Sequence, residues 1–342
     1  MYVQHFGFSR PLFSDGMAHD DAVFRTSAID QLVQDLDTAL TRRDSVAILS
    51  GVSGTGKTTI ASDALKNIST RLAFSCISHP PLTAHELLEQ LLTDFGFEPY
   101  QKSRVERLQL WRQFLSEMAA TDTRVCLLVE NAEDLSPEVV QCLHSLTAAD
   151  AALSPGANVL MTTTVAPERL LTTEDMLAFN QRVRLRARIG ALTEDETRDY
   201  LSFKCRCAGA DSDVVFGSDM APLLFEFSGG IVRVIDNLLE SALISAAAAN
   251  EEKITAERMI QTAEQQFGIS RLQPEEVDNL LDAAPVLDEA LAISEESAAI
   301  IDEIPTLTDF VSVPADSGAV EILAETNSDS FTNFATQRLT QN

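Results

Sequence analysis

The sequence predicts an α/β fold: a doubly wound parallel sheet of five strands, followed by a small all-α domain and an acidic, largely disordered tail. Short apolar runs alternate with segments of helical periodicity up to about residue 190, which is typical of a parallel sheet with helices on both faces. After that point only helical periodicity continues. From about residue 270, acidic residues, Ser, Thr, Ala and Pro dominate without a sustained period. We therefore divide the chain into residues 1–190, 191–269 and 270–342.

The predicted elements follow from apolar runs and from apolar residues spaced three and four apart. Residues 1–20 contain three phenylalanines and are expected to form an irregular segment that packs on the sheet domain. Apolar runs predict strands at residues 46–50, 71–77, 125–129, 158–162 and 183–189. Helical spacing predicts helices at residues 28–40, 59–65, 82–95, 105–118, 137–146, 194–206, 220–227, 232–247 and 255–267, with Thr83 as an N-cap ahead of Glu86.

The formal net charge of −27 is unusual for a chain of 342 residues. Residues 274–342 contain fifteen Asp or Glu and one Arg, so they carry −14, and residues 1–273 carry the other −13. This disfavours a broadly basic nucleic-acid-binding surface, although it leaves room for a local basic stripe. The start of the chain lacks the features of a signal peptide, and no apolar run approaches the roughly 18 residues of a membrane span. We expect a cytoplasmic protein without a transmembrane segment.

A phosphate-binding loop, or P-loop, is the clearest functional motif. Residues 51–59 match G-x-x-x-x-G-K-[ST] and lie between a predicted strand and a predicted helix, which is the context that the motif requires. The glycines let backbone N–H groups surround a phosphate, and the helix N-terminus adds a partial positive charge. Lys57 is expected to contact the β- and γ-phosphates, and Thr58 to bind Mg²⁺. The predicted ligands are thus ATP and Mg²⁺, held by Gly51, Val52, Ser53, Gly54, Thr55, Gly56, Lys57, Thr58 and Thr59.

Stretches outside the P-loop are similar to a known family. Residues 1–8 read Met-Tyr-Val-Gln-His-Phe-Gly-Phe, residues 11–14 read Pro-Leu-Phe-Ser, and residues 228–233 read Ser-Gly-Gly-Ile-Val-Arg. With a P-loop near residue 50, they resemble the general secretion pathway protein A (ExeA) family of AAA+ ATPases over about residues 1–268. The resemblance implies an AAA+ domain of the ASCE class of P-loop NTPases, a helical lid at residues 191–269, ATPase activity and homo-oligomers. We expect no counterpart of the family's periplasmic extension.

The second catalytic motif departs from the family's pattern of four apolar residues followed by Asp-Glu-Ala-Gln. Here Glu130 and Asn131 follow the apolar residues 126–129. The resemblance places Glu130 at the position that contacts the Mg²⁺ shell and Asn131 at that of the catalytic glutamate. An amide can orient a water molecule but cannot accept its proton, so we expect slow hydrolysis. Glu133 or Asp134 could take over this role if the loop shifts.

Three more residues are assigned roles through the resemblance. Thr163, in a run of three threonines at the end of the fourth strand, is the predicted γ-phosphate sensor, although these hydroxyls could simply cap the strand. Arg233 matches the sensor arginine of the lid. Arg182, in the basic cluster at residues 181–188, is the predicted arginine finger that reaches the ATP of a neighbouring subunit. For the cluster as a whole, we favour a solvated edge strand over a nucleic-acid patch.

Three functions are consistent with these residues. The leading hypothesis, which comes from the resemblance, is a slow AAA+ ATPase that assembles with ATP. Through a protein partner it would regulate a secretion, pilus or other cell-envelope machine, in the cytoplasm or peripherally at the inner membrane. The alternative is a DNA-associated AAA+ regulator of the TnsC/TniB or origin-binding type, which the acidic net charge argues against and salt-dependent DNA binding would support. The third is a nucleotide-binding scaffold without turnover.

Overall fold

A five-stranded parallel sheet lies at the centre of the structure, a computed structural model that describes residues 2–13, 23–69, 71–79, 83–149, 155–217, 219–268 and 271. The strands are β1 (Val46–Ser50), β2 (Leu72–Ile77), β3 (Arg124–Val129), β4 (Asn158–Thr163) and β5 (Val183–Arg188). Their order across the sheet is β2–β3–β4–β1–β5, and each pairing is parallel. The predicted α/β fold with five parallel strands is confirmed.

Helices cover both faces of the sheet, and further helices follow it. Before and between the strands lie α1 (Tyr2–His5), α2 (Ser27–Leu40), α3 (Lys57–Lys66), α4 (Ala84–Asp94), α5 (Arg104–Ala120), α6 (Pro137–Thr147), α7 (Pro167–Leu170) and α8 (Leu177–Asn180), with 3₁₀ turns at Ala132–Asp134 and Glu174–Met176. After β5 come α9 (Glu194–Cys207), α10 (Ser212–Val215), α11 (Met220–Ser228), α12 (Val232–Ala248) and α13 (Ala256–Gln261), which continues as a π-helical turn at Thr262–Gln266. The one-turn helices α1, α7, α8 and α10 are too short to produce a periodic sequence signal.

Side-chain caps set where several of these helices begin. The hydroxyls of Thr83, Ser103 and Thr193 each accept a backbone N–H three residues later, and the Glu at that position bonds back to the capping residue. This reciprocal capping box satisfies two donors that would otherwise lack intrahelical partners. The predicted N-cap at Thr83 is confirmed, and α4 begins one residue after it.

Two apolar layers enclose the sheet. One packs α2 and α3 against one face, and the other packs α4, α5 and α6 against the opposite face. Trp111 of α5 is buried in the second layer, and its indole N–H donates to the carbonyl oxygen of Leu146 at 2.8 Å. Because both faces are covered, all five residues of β1, an inner strand between β4 and β5, are buried, and its carboxyl end is fixed where the P-loop begins.

The N-terminal segment, residues 2–13, packs on the helices that follow the sheet rather than on the sheet domain. Tyr2, Phe8 and Leu12 are buried in one apolar cluster with residues of α9, α11 and α12. His5 Nε2 also donates to the carbonyl oxygen of Glu251 at 2.6 Å. The expected packing on the sheet domain is therefore wrong. The reason is that α2 to α6 already cover both faces of the sheet, whereas the later helices leave an apolar surface that these aromatic rings fill.

The remaining expectations concern the two terminal segments of the chain and the absence of a membrane-spanning helix. The predicted acidic tail at residues 270–342 lies outside the described residues except for Arg271, which pairs with Glu226 at 3.1 Å. Ser14, part of the N-terminal family motif, also lies outside them. Across the ranges that the structure describes, no helix combines the length and the apolar character needed to cross a membrane.

Truncating Phe8 tests the packing of the N-terminal segment. Phe8 is 6% exposed, so Phe8→Ala should lower the free energy of unfolding by about 3–5 kcal/mol, as for other buried phenylalanines. The matched control is Tyr100→Ala, because Tyr100 is 68% exposed and its removal should change stability by no more than about 0.5 kcal/mol. Urea denaturation followed by circular dichroism measures both. Equal stability of the two variants would contradict this packing.

Candidate nucleotide-binding site

The P-loop joins the end of β1 to the start of α3 through a tightly packed turn. A Cβ atom on Gly51 would lie 2.3 Å from the carbonyl oxygen of Ile189, so only glycine fits there. Gly54 has φ +89°, and a Cβ atom on it would lie 2.9 Å from the Cβ of Arg233. The helix α3 then begins at Lys57 without a side-chain cap, so the N–H groups of its first turn have no intrahelical acceptor. This arrangement fits a phosphate group.

Lys57 is buried inside this turn. Its Nζ donates to the carbonyl oxygens of Gly51 at 2.9 Å and Val52 at 3.0 Å. Burial lowers the pKa of Lys57; the charge of Glu133 opposes this shift, and that of Arg233 adds to it. The predicted phosphate-contacting lysine thus interacts electrostatically with Glu133 and with Arg233, which come from other parts of the chain. Beside it, Thr58 is half-buried and Thr59 is exposed.

Glu130 and Asn131 follow β3, but they face different surroundings from those expected at the Mg²⁺ shell. Glu130 Oε1 accepts from Cys76 Sγ at 3.2 Å and from Ser78 Oγ at 3.1 Å, both at the end of the neighbouring strand β2. Burial raises the pKa of Cys76 to about 11, so the thiol keeps its proton and can donate. Asn131 is exposed and has left-handed backbone angles, φ 51° and ψ 55°. Asn adopts this conformation at less cost than most residues.

Glu133 occupies the position next to the end of β4. Its Oε1 accepts from the backbone N–H of Thr164 at 2.8 Å and from the Thr164 hydroxyl at 2.6 Å. Burial alone would raise the pKa of Glu133, but the hydrogen bonds from Thr164 outweigh it, so this pKa lies below its ordinary value. The carboxylate therefore remains ionised at neutral pH.

Thr163, the predicted sensor, is the last residue of β4 and is fully buried. It pairs with Ser50 across the sheet, and its carbonyl oxygen accepts the N–H of Gly51 at 3.1 Å. Its hydroxyl accepts the N–H of Val165 at 3.0 Å, which also supports the strand-capping alternative. The end of β4 is thereby joined directly to the start of the P-loop.

Arg233 connects the helices after the sheet to the P-loop. Its backbone N–H donates to the carbonyl oxygen of Gly54 at 3.0 Å, and its Nη1 lies 3.5 Å from Ser53 Oγ. One turn earlier, the N–H of Leu192 donates to the carbonyl oxygen of Gly230 at 2.9 Å. The predicted sensor arginine is thus adjacent to the P-loop, with its guanidinium on an exposed side chain.

Arg182 cannot serve as an arginine finger. It is 9% exposed, it forms an ion pair with Asp44, and it donates to Thr147 Oγ1 at 3.1 Å, Thr147 O at 3.1 Å and Ala157 O at 3.2 Å. It precedes β5 and so lies at the amino edge of the parallel sheet, whereas the P-loop lies at the carboxyl edge. The prediction is wrong because the side chain already uses its donors within its own chain.

The other arginines of the basic cluster lie along the edge strand β5. Arg184 and Arg188 are exposed, and Arg186 is half-buried with Nη2 donating to Asn180 Oδ1 at 2.9 Å. Arg186 and Arg188 line a cavity of about 230 Å³ that also contacts Gly51 and Thr164. This placement agrees with the favoured interpretation of the cluster as an edge-strand surface.

Comparisons with known proteins agree with this geometry. A family model described as an AAA domain matches residues 40–170. General secretion pathway protein A of Aeromonas hydrophila is 28% identical over 256 residues, which are 74% of this chain and 46% of that protein. The chain resembles the AAA+ ATPases of the general secretion pathway protein A type. This confirms the resemblance inferred from the sequence motifs, although the chain spans only about half the length of that curated relative.

Solved structures of AAA+ proteins share the fold. The ORC2 protein of Aeropyrum pernix in its ADPNP and ADP complexes is 14% identical with a TM-score of 0.57, and the match covers 80% of this chain and 75% of that one. The ORC1 protein of the same organism in complex with DNA is 18% identical with a TM-score of 0.55, covering 72% and 66%. Cdc6p of Pyrobaculum aerophilum is 14% identical with a TM-score of 0.54, covering 78% and 87%. These identities support the AAA+ fold alone.

The sequence pattern did not predict the contacts of Glu133 in this candidate site. Glu133 follows the second motif by three residues, and nothing in the sequence links it to Thr164, 31 residues later. The run of three threonines at the end of β4 is the signal that could have suggested a carboxylate partner. Likewise, Asp44 just before β1 could have suggested a buried partner for Arg182.

Replacing Gly54 tests the packing of Arg233 on the P-loop. Gly54→Ala adds backbone strain of about 1–2 kcal/mol and a contact 2.9 Å from the Arg233 Cβ, so ATP affinity should fall by about tenfold or more. Gly268→Ala is the matched control, because Gly268 has φ +63° but no atom within 4 Å of the added Cβ. Titration with a fluorescent ATP analogue measures both affinities. Unchanged affinity in Gly54→Ala would contradict this packing.

Replacing Arg182 distinguishes a structural role from a finger role. Arg182→Ala removes a buried side chain and leaves the half-buried Asp44 without its ion-pair partner, so it should lower the free energy of unfolding by about 3 kcal/mol. Arg184→Ala removes an exposed arginine two residues away and should change stability by about 0.5 kcal/mol or less. Thermal denaturation compares the two. A stable Arg182→Ala variant that assembles but does not hydrolyse ATP would restore the finger assignment.

Proposed function

We propose that the protein is an AAA+ ATPase that binds ATP with Mg²⁺, hydrolyses it slowly, and assembles into homo-oligomers in its ATP-bound state. The bound nucleotide lies on Gly51–Thr59, with Lys57 at the β- and γ-phosphates. Thr58 supplies an oxygen ligand of the kind that Mg²⁺ prefers, and Glu130 would supply a second by leaving its present partners Cys76 and Ser78. The magnesium ion neutralises charge that develops on the phosphates during transfer.

The direct contact between the lid and the P-loop carries this proposal. The N–H of Arg233 donates to the carbonyl oxygen of Gly54, and a Cβ atom on Gly54 would lie 2.9 Å from the Cβ of Arg233. A phosphate that reorganises residues 53–56 therefore changes the support of α12, which begins at Val232. A ligand shifts a conformational equilibrium only by its differential affinity for the two states, and this contact provides a physical basis for such a difference.

The chemistry around Asn131 supports slow rather than fast turnover. The amide of Asn131 cannot accept a proton from water, and a general base typically contributes about 10²–10⁴-fold to the rate. A protein that retains ATP for a long time suits a switch of assembly state better than a motor. A scaffold without turnover would show the same ATP binding and no release of phosphate.

The cellular process that this switch regulates is proposed from the similarity to General secretion pathway protein A. General secretion pathway protein A is similar to 74% of the chain, so we assign the protein to the regulation of a secretion, pilus or other cell-envelope assembly through a protein partner. The proposed location is the cytoplasm, with peripheral attachment to the inner membrane through that partner. An acidic segment of net charge −14 at residues 274–342 is the proposed partner-binding element.

A DNA-associated regulator is the second candidate, and the exposed arginines of β5 are the observation in its favour. Arg184 and Arg188 are two exposed basic side chains on the same strand. The ORC1 protein, which shares the fold, was solved in complex with DNA. The net charge of −13 over residues 1–273 argues against it. DNA binding that weakens steeply with salt and is lost in Arg184→Ala with Arg188→Ala would favour this candidate.

ATP turnover measured beside oligomer mass tests the proposed switch. Wild type, Lys57→Ala and Asn131→Glu are compared with and without ATP and Mg²⁺. Wild type should assemble with ATP and release phosphate slowly, and Lys57→Ala should do neither. Asn131→Glu should raise turnover because it restores a proton acceptor, although a left-handed Glu costs about 1–2 kcal/mol more than Asn. Assembly that ignores ATP would contradict the switch. Fast turnover in wild type, unchanged in Asn131→Glu, would contradict the inferred effect of Asn131.

A further inference from the structure

One oxygen of Glu133 is buried without a hydrogen-bond partner. Among the described residues, the buried side-chain oxygens in this condition are Glu133 Oε2 and Asp44 Oδ1. Asp44 is compensated by its ion pair with Arg182. Glu133 has no ion pair among the residues that the structure describes, so its ionised oxygen remains unsatisfied. A buried polar atom in this state costs about 1–3 kcal/mol, and more when charged, unless a ligand or water satisfies it.

The rest of the Glu133 side chain is held in place. Oε1 accepts two hydrogen bonds from Thr164, and Thr164 follows directly after the last residue of β4. The preceding residue, Thr163, binds the N–H of Gly51 at the start of the P-loop. The charge of Glu133 also acts on Lys57. The carboxylate is thus anchored at the carboxyl edge of the sheet, beside the lysine that contacts the terminal phosphates.

The other acids of this segment are less suited to act on water. Glu130 Oε1 is occupied by Cys76 and Ser78 on the side of β2, away from the P-loop strand. Asp134 is exposed, and Asn131 is exposed and carries an amide. Glu133 alone in this segment combines an ionised carboxylate, a fixed position and an oxygen without a partner.

We propose that Glu133, rather than the residue at the position of Asn131, holds the attacking water and accepts its proton. The water oxygen bonds to the γ-phosphorus while the bond from that phosphorus to the β–γ bridging oxygen breaks. The electron pair of the broken bond stays on ADP, and the proton passes to Glu133 Oε2 before it leaves with phosphate or solvent. Because Thr164 donates two hydrogen bonds to the ionised carboxylate, Glu133 is a weak base, and the slow turnover of the proposed function follows.

The inference rests on the proposed ATP hydrolysis and extends it to one residue of this chain. The test compares Glu133→Gln with Glu98→Gln, the same loss of one negative charge at an exposed residue of the loop between α4 and α5. Single-turnover release of phosphate from radiolabelled ATP measures the chemical step. Two further readouts are the affinity for a fluorescent ATP analogue and the trapping of ADP with fluoroaluminate, an analogue of the transferred phosphoryl group that requires the positioned water.

Glu133→Gln should lower the single-turnover rate by about 10²-fold and abolish fluoroaluminate trapping, while ATP affinity changes by less than about threefold. Glu98→Gln should leave all three readouts unchanged. Unaltered turnover and trapping in Glu133→Gln would overturn the inference and leave the ATPase assignment standing. A parallel loss of ATP affinity and thermal stability would also overturn it, because Glu133 would then support the P-loop structurally. A wild type that binds ATP but never releases phosphate would overturn the proposed hydrolysis itself.

Discussion

The close approach of three backbone segments at the P-loop is the constraint on which the rest of the site depends. Gly51 contacts the carbonyl oxygen of Ile189 after β5, Gly54 contacts the start of α12, and Thr163 binds the N–H of Gly51. A side chain at either glycine would separate these segments. The phosphate-binding turn is therefore defined by packing from the sheet and from the lid together, and its shape cannot change without moving one of them.

Two carboxylates at this edge of the sheet are oriented in different directions by their hydrogen-bond donors. Glu130 is oriented toward β2 by a thiol and a hydroxyl, whereas Glu133 is oriented toward β4 by Thr164. Glu133 lies three residues after Glu130, within the 3₁₀ turn at Ala132–Asp134. Glu133 affects the pKa of Lys57, since its negative charge opposes the lowering of that pKa by burial. A residue outside the usual motif thus acts on the charge of the P-loop lysine.

Local patterns were sufficient to predict the sheet, the P-loop and the capped helix starts. β1 and β3 are continuous apolar runs because both faces of the sheet are covered, and Thr83 with Glu86 forms a capping box within four residues. Arg182, the N-terminal segment and Glu133 were not predictable in this way. Their partners lie 138, 246 and 31 residues away, and no periodicity encodes such contacts. The sequence around Arg182 is compatible with an arginine finger, and only the structure shows its ion pair with Asp44.

The attachment of residues 2–13 to the last helices has a consequence for how the chain folds during synthesis. His5 bonds to Glu251, so the two ends of this contact leave the ribosome 246 residues apart. At about 5–20 residues per second, Phe6, Phe8 and Phe13 remain without their native partners for roughly 10–50 s. During that interval the nascent chain exposes an aromatic segment. We expect that segment to be the part of the newborn protein that a chaperone recognises first.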